Sequence, residues 1–361
     1  MPLKIELDFR WGSCTDSKLL QRPLRLNARH CSHGFPYIVF HAKRQTNLPR
    51  APRTHRYRPA MSLDFDTRFD PAYGQPVTVA DGVMRLTANN PSAFTFHGTN
   101  SYIIGTDTLA VLDPGPNDDA HLEALLAGIA GRPVSHIFVS HTHRDHSPLA
   151  ARLKAATGAV TVAEGPHRSA RPLRIGEVAP LDASSDTDFV PDVIVADGQL
   201  VDGGGWRMRT VLTPGHAANH AAFALEGSGI LFSADHVMAW STSIVAPPDG
   251  AMSDYMASLD KLIERDDSTY LPGHGGPVAS PQTFVRGLKA HRQMREAAIL
   301  ERLAAGDSSI PDIVRAIYRN TDPSLYGAAG LSVLAHLEDL VGRGQAVSNE
   351  APAIDSLYSP A

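Results

Sequence analysis

Four apolar runs, set far apart in this chain, each stop at a short polar loop bearing histidine or aspartate. The first, Val134-Ser135-His136-Ile137-Phe138-Val139, ends in Ser140-His141-Thr142-His143-Arg144-Asp145-His146. The alternating run Trp206-Arg207-Met208-Arg209-Thr210-Val211-Leu212 ends in Thr213-Pro214-Gly215-His216. Ile230-Leu231-Phe232 ends in Ser233-Ala234-Asp235-His236, and Tyr270-Leu271 ends in Pro272-Gly273-His274-Gly275. Short apolar runs bounded by turn residues read as buried strands, and loops at one edge of a rigid sheet are where function gathers. The chain therefore needs a fold that delivers four strand ends to one edge.

The first loop sets the chemistry. In an extended segment His141, His143 and Asp145 project to one side, and His146 falls where a helix should begin, ahead of Pro148-Leu149-Ala150-Ala151. Imidazole nitrogen and carboxylate oxygen at close quarters are ligands for zinc or a similar divalent ion. A solvated histidine-rich loop has no reason to sit at the end of a buried strand. Counted over the four loops, His141, His143 and His216 can hold one ion, and Asp145, His146 and His274 a second. Asp235 can bridge the two. Either Asp235 or His236 could serve there, and Asp235 is preferred because the site otherwise lacks a bridging group. This predicts two Zn2+, with Mn2+ or Fe as alternatives. Asp113, in Asp113-Pro114-Gly115, reads as a turn residue rather than a ligand. His97, His121, His136 and His220 have no partner spacing and read as ordinary.

Around these loops the pattern is mixed α/β. Asp81-Gly82 joins two strands in a hairpin signal. Helices are predicted over 121–131, from Pro148 to Thr157 and near 255–265. The irregular stretch 164–192 is long enough to suggest cover over a site. The domain reading is a mixed α/β body over 61–280, a helical tail over 281–346 and a flexible C-terminus over 347–361.

Charge separates the first sixty residues from the rest. They carry twelve Lys+Arg against three acids, whereas the whole chain has 33 against 38. They also hold both cysteines, Cys14 and Cys31, away from every histidine loop, so neither a disulfide framework nor a cysteine-rich zinc module is expected. Residues 1–60 read as a disordered basic extension. The alternatives are a transit peptide, a nucleic-acid- or membrane-binding arm, and a start at Met61 with the upstream stretch a translation-start artefact or a dispensable extension; the last is preferred. No apolar stretch is long enough to span a membrane and no secretory h-region occurs. A cytoplasmic location is expected, without a membrane partner.

His141-Thr142-His143-Arg144-Asp145-His146 with the later His216, Asp235 and His274 resembles the metallo-β-lactamase-fold hydrolase superfamily over about residues 75–280. The resemblance implies an αββα four-layer sandwich with a binuclear site at one edge, where Asp145 also positions the nucleophilic water. Residues 281–346 look like the small winged-helix tail of the β-lactamase-like-2 branch. There His291 opens a long helix through Leu303, and 309–319 and 328–342 form two more. Gly98-Thr99-Asn100-Ser101-Tyr102 matches a Gly-Thr-Asn-X-Tyr loop of the same branch.

The resemblance implies a metal-dependent hydrolase in which a metal-bridging hydroxide attacks an ester, thioester or phosphodiester bond of a small-molecule substrate. Class B1 lactamases use cysteine where Asp235 falls. Glyoxalase-II-like thioesterases, one alternative, usually have glycine where this chain has Leu149, and lack the winged tail. The other alternative is a single-strand-specific endoribonuclease that uses the tail to grip nucleic acid. Residues 281–346 hold eight bases and seven acids, too even a balance for the phosphate attraction that dominates such binding. Nucleic acid is accordingly not favoured, and the tail is expected to cover the pocket or pack a homodimer.

Overall fold

A computed structural model describes residues 63–174 and 184–361. The expectations for residues 1–60, including the basic arm and the cysteines, lie outside the described residues.

Two sheets form the centre. The first has seven strands in sequential order: β1 (Val77–Ala80), β2 (Val83–Thr87), β3 (Asn100–Ile104), β4 (Leu109–Leu112), β5 (Val134–Phe138), β6 (Val160–Ala163) and β7 (Val193–Ile194). Its first four strands run antiparallel. From β4 onward the pairs are parallel, with α1 (Asp119–Ile129) and α2 (Ala150–Thr157) as crossovers. The second sheet runs β12-β11-β10-β9-β8, built from β8 (Leu200–Asp202), β9 (Arg207–Leu212), β10 (Ala221–Leu225), β11 (Ile230–Ala234) and β12 (Thr269–Pro272).

Period-two alternation sorts the side chains into layers. Tyr102, Ile104, Ala110, Leu112 and Phe138 face Met208, Phe223, Phe232 and Leu271 between the sheets. Their neighbours Ile103, Leu109, Val111 and Ile137 turn outward to meet Leu125 and Ile129 of α1 and Leu153 of α2. On the far side Val211, Ala222 and Leu231 pack against Tyr255, Leu259 and Leu262 of α3 (Met252–Ile263) and Val285 and Leu288 of α4 (Pro281–Ala304). Each sheet is thus covered on both faces, which is the expected αββα sandwich.

The tail adds α5 (Ile310–Ile317), a single 3-10 turn (Pro323–Leu325) and α6 (Tyr326–Gly342), closed around Ile299, Leu303, Ile313, Val333 and Leu337. Two sequence expectations need correction here. The long helix starts at Pro281, ten residues before His291, because Pro is suited to a helix's first turn and Val285 and Leu288 bury at helical spacing. Residues 347–361 are not a loose end. β13 (Ala346–Ser348) pairs antiparallel with β14 (Tyr358–Pro360), forming the wing, and Tyr358 is buried with its hydroxyl donating to Ala353 O at 2.6 Å. A single apolar anchor in a short polar stretch leaves little periodicity to read. No helix among the described residues is long and apolar enough to cross a membrane.

Candidate metal centre

The four loops meet where β5, β9, β11 and β12 end. His141, His143 and His216 bring one ligand atom each within 4.8 Å of one another, as do Asp145, His146 and His274; His141, His146 and Asp235 form a third such set that joins the two. All seven residues singled out from sequence are therefore in one place. The extended-segment argument holds for His141 and His143 only. His146 N donates to His143 O at 2.9 Å, so the loop turns, and Asp145 reaches the second group through that turn.

Each imidazole is oriented by its outer nitrogen. His141 Nδ1 donates to Ser140 Oγ at 3.0 Å, the hydroxyl proton being committed to Asp113 Oδ2 at 2.7 Å. His143 Nε2 donates to Asp249 Oδ2 at 2.8 Å, and His146 Nδ1 to Asp113 Oδ2 at 3.0 Å. His216 Nδ1 donates to Ile244 O at 2.6 Å and His274 Nδ1 to Gly98 O at 3.1 Å. An acceptor on the outside fixes the tautomer and leaves the inner nitrogen as a lone pair. The inner nitrogens converge. His143 Nδ1 lies 3.0 Å from His141 Nε2 and 3.1 Å from His216 Nε2, while His274 Nε2 lies 3.2 Å from both Asp145 Oδ2 and Asp235 Oδ2.

Lone pairs facing lone pairs and carboxylates in a buried space need a cation between them. His146 Nε2 and Asp235 Oδ1, both buried, have no hydrogen-bond partner. The electrostatics carry the same demand. Burial pulls His146 and His274 down, but it is outweighed by Asp145, Asp235 and Asp113 around His146, which is held well above the ordinary range. Around His274, Asp235 and Asp145 outweigh it and push it up to about 9. His141 and His216 lie farther from carboxylates. Burial there, reinforced by neighbouring imidazoles, pushes His216 down to about 4 and holds His141 well below its usual value. Five imidazoles and two carboxylates without a thiolate suit Zn2+, Fe or Mn2+, so the residues fit a binuclear divalent centre.

Local backbone is shaped around this set. Asp113 and Ala234 adopt positive φ of 49° and 43°, a conformation that costs non-glycine residues about 1–3 kcal/mol and gathers at functional sites. Gly273 is required by proximity: a Cβ there would lie 2.4 Å from Asp235 Oδ1 and 2.8 Å from His146 Cε1. Asn100, in the Gly98–Tyr102 loop, fastens the last ligand loop. Its Nδ2 donates to Pro272 O at 3.1 Å and Gly275 O at 2.9 Å, and Thr99 Oγ1 donates to Asp145 Oδ2 at 3.2 Å. Ser184 and Asp186 lie against the histidine loop through Arg144 N to Ser184 O and Asp186 N to Thr142 O, both 2.7 Å, so this part of the irregular stretch does flank the site.

Asp113 ties neighbouring loops, as its Asp-Pro-Gly setting suggests. His236 is packed on Tyr255, with ring centroids 4.4 Å apart, and bridges nothing. His220, ordinary by its spacing, is buried 5.1 Å ring to ring from His141 and supports the site from behind; only its tertiary position reveals that. Sequence reasoning misses Asp249 altogether. It lies in a stretch without strand or helix spacing, and no sequence signal links it to His143.

The Metallo-beta-lactamase superfamily description matches residues 94–274, and the Beta-lactamase associated winged helix domain matches 309–354. The chain belongs to the metallo-β-lactamase superfamily. It is 28% identical over 294 residues to the Beta-lactamase-like protein 2 homolog of Drosophila melanogaster, covering 78% of this chain and 96% of that protein. A protein called Thioesterase pkgB, from Emericella nidulans, is 29% identical over 229 residues, covering 62% of this chain and 59% of that protein. Among solved structures, a metallo-β-lactamase family protein from Thermus thermophilus superimposes with TM-score 0.63 at 24% identity, covering 79% and 100% of the two chains. A β-lactamase domain protein from Burkholderia ambifaria gives 0.67 at 23%, covering 83% and 97%. These two likenesses show the fold. The superfamily is one of hydrolases, and the His/Asp cluster is able to bind divalent metal.

Proposed function

We propose that this protein is a binuclear divalent-metal hydrolase acting on an acyl bond, a thioester or an ester, of a small-molecule substrate. The observation that carries this is the convergence of five inner imidazole nitrogens on two carboxylates, each ring locked by an outer acceptor. His141, His143 and His216 would hold one ion, Asp145, His146 and His274 the other, and Asp235 both. Two divalent ions, when bound, supply an acidified water at neutral pH and polarise a substrate oxygen.

The chain's own residues supply the rest. Asp145 has the more open of the two carboxylates, with 24% of its side chain exposed against 8% for Asp235. It can therefore accept a hydrogen bond from an incoming water and orient it. Thr99 Oγ1 fixes the Asp145 carboxylate from the other side. Burial of His141 and His216 keeps their inner nitrogens free of protons and ready as ligands.

The thioester is favoured by the relative that bears the name thioesterase. Phosphodiester cleavage, with RNA as substrate, is the second reading, and the tail's charges argue against it. Arg302 pairs with Asp307 and Arg343 with Glu296, both at 2.6 Å, Arg315 pairs with Asp312, and Arg292 is buried. Few cations are left to bind phosphates.

The test is metal content by elemental analysis, followed by turnover on acyl thioesters, lactones, phosphodiesters and single-stranded RNA. About two ions per chain and preferred thioester or ester turnover, lost in Asp145→Asn, are expected. Selective cleavage of RNA would replace this reading with the second, and a metal-free chain would remove both.

A further inference from the structure

We propose that the C-terminal tail sets the metal affinity of one half of the centre, the half built on His143 and His216, with Arg292 and Glu338 as positioning residues. This rests on the binuclear reading above. Two of the three outer acceptors of that half belong to one segment, residues 240–250, which has no helix or strand; the third, Ser140 Oγ for His141, follows the end of β5. Ile244 O receives His216 Nδ1, and Asp249 Oδ2 receives His143 Nε2. Its one internal backbone hydrogen bond among the described residues is Gly250 N donating to Ala246 O at 2.9 Å, so the part around Ser243 and Ile244 must be held from outside.

Two struts reach it, and both start on tail helices. Arg292 of α4 donates through Nη2 to Ser243 O, the residue beside Ile244, and through Nη1 to Ser332 Oγ of α6 at 3.4 Å. It also lies over the Tyr255 ring at 5.1 Å. The backbone of Tyr255 backs the turn before His216 so closely that a Cβ on Gly215 would sit 2.4 Å from it. The second strut begins at Glu338 of α6, whose Oε1 accepts from Arg171 Nη2 at 2.7 Å. The adjacent Ala170 N donates to Pro248 O at 2.7 Å, one residue from Asp249.

Arg292 is an unusual residue to bury. It is 3% exposed, its Nε has no partner, and it forms no ion pair among the described residues. Burying a cation without a carboxylate is costly, and an apolar residue would fill the same volume at less cost. A guanidinium does what an apolar residue cannot: it donates at once to the loop carbonyl and to the α6 hydroxyl. The acceptors of His146 and His274, Asp113 and Gly98 O, belong instead to the strand ends of the first sheet, and neither strut touches them.

The experiment titrates the metal-stripped full chain with Zn2+ against a chromophoric chelator, then repeats it with Co2+ and follows the visible spectrum. His143→Ala and His274→Ala identify which binding step belongs to which half. Arg292→Gln is expected to weaken the step that His143→Ala abolishes by about ten-fold or more, the scale seen when an outer partner of a metal ligand is lost. The step that His274→Ala abolishes should stay unchanged, and Arg292→Lys should recover part of the loss. Glu338→Gln, at a partly exposed position that should not threaten folding, should shift the same step in the same direction by a smaller factor. Unchanged affinity in both variants, or equal weakening of both steps, overturns the proposal. A wild-type chain that takes up fewer than two ions instead overturns the binuclear reading on which it rests.

Discussion

One half of the metal centre is held by the sheets and the other by a segment strung between them and the tail. Asp113, at the end of β4, holds His146 directly and His141 through Ser140, and the Gly98–Asn100 loop fixes His274 from the start of β3. These anchors are as rigid as the strands that carry them, whose side chains are wholly buried. In the other half only His141 shares the sheet anchor, while His143 and His216 lean on Asp249 and Ile244, in residues 240–250. The difference shows that neighbouring ligand groups of one cluster can lean on quite different parts of the chain.

The largest effect should come from the residue common to both halves. Asp235→Ala is expected to remove metal from both and abolish turnover while far-UV circular dichroism is retained; loss from one half alone would break the comparison at its centre. Next come the outer carboxylates. Asp249→Asn should weaken metal at the His143 half alone, and Asp113→Asn chiefly at the His146 half with a smaller loss at the other through Ser140 and His141, each main effect being about 10–100-fold. Chelator competition distinguishes them, and a loss at the His146 half in Asp249→Asn would mean that the halves are not separately anchored. Gly273→Ala places a methyl against Asp235 and His146 and should cost about 1–3 kcal/mol of stability, as overpacked sites do, measured by denaturant unfolding.

The smallest effect concerns the tail alone. Burial pushes His336 down to about 3 and His291 down to about 4, below the ordinary 6.5. As pH falls below about 6.5 the unfolded chain takes up these protons first, so stability present at neutral pH is lost toward pH 4. Neither ring nitrogen of His336 has a partner. His336→Leu should therefore raise the melting temperature slightly and flatten its decline between about pH 7 and 4.5, with metal content unchanged.

Much of the site is legible because its ligands obey local rules. Strand ends carry His or Asp, and Pro-Gly before His216 and His274 marks turns that only close packing requires. The layers follow equally well from alternation, as in Ile103 against Tyr102 and Ile104. What stays hidden in the sequence depends on tertiary contact. Asp249 and Ile244 act across 106 and 28 residues of chain. His220 matters only because β10 returns beside the histidine loop, and the wing forms because Tyr358 joins a tail core that no local pattern announces.

Helix α4 belongs to two cores at once. Val285 and Leu288 seal the outer face of the second sheet, and Ile299 and Leu303, farther along the same rod, seal the tail. No clean scission point exists between the lobes: cutting before Pro281 unroofs the sheet, and cutting within the rod leaves oily stumps on both fragments. The winged appendage is thus not a detachable module but a graft whose stem is a structural beam of its host, and shortened versions of this protein should aggregate rather than persist as smaller folded units.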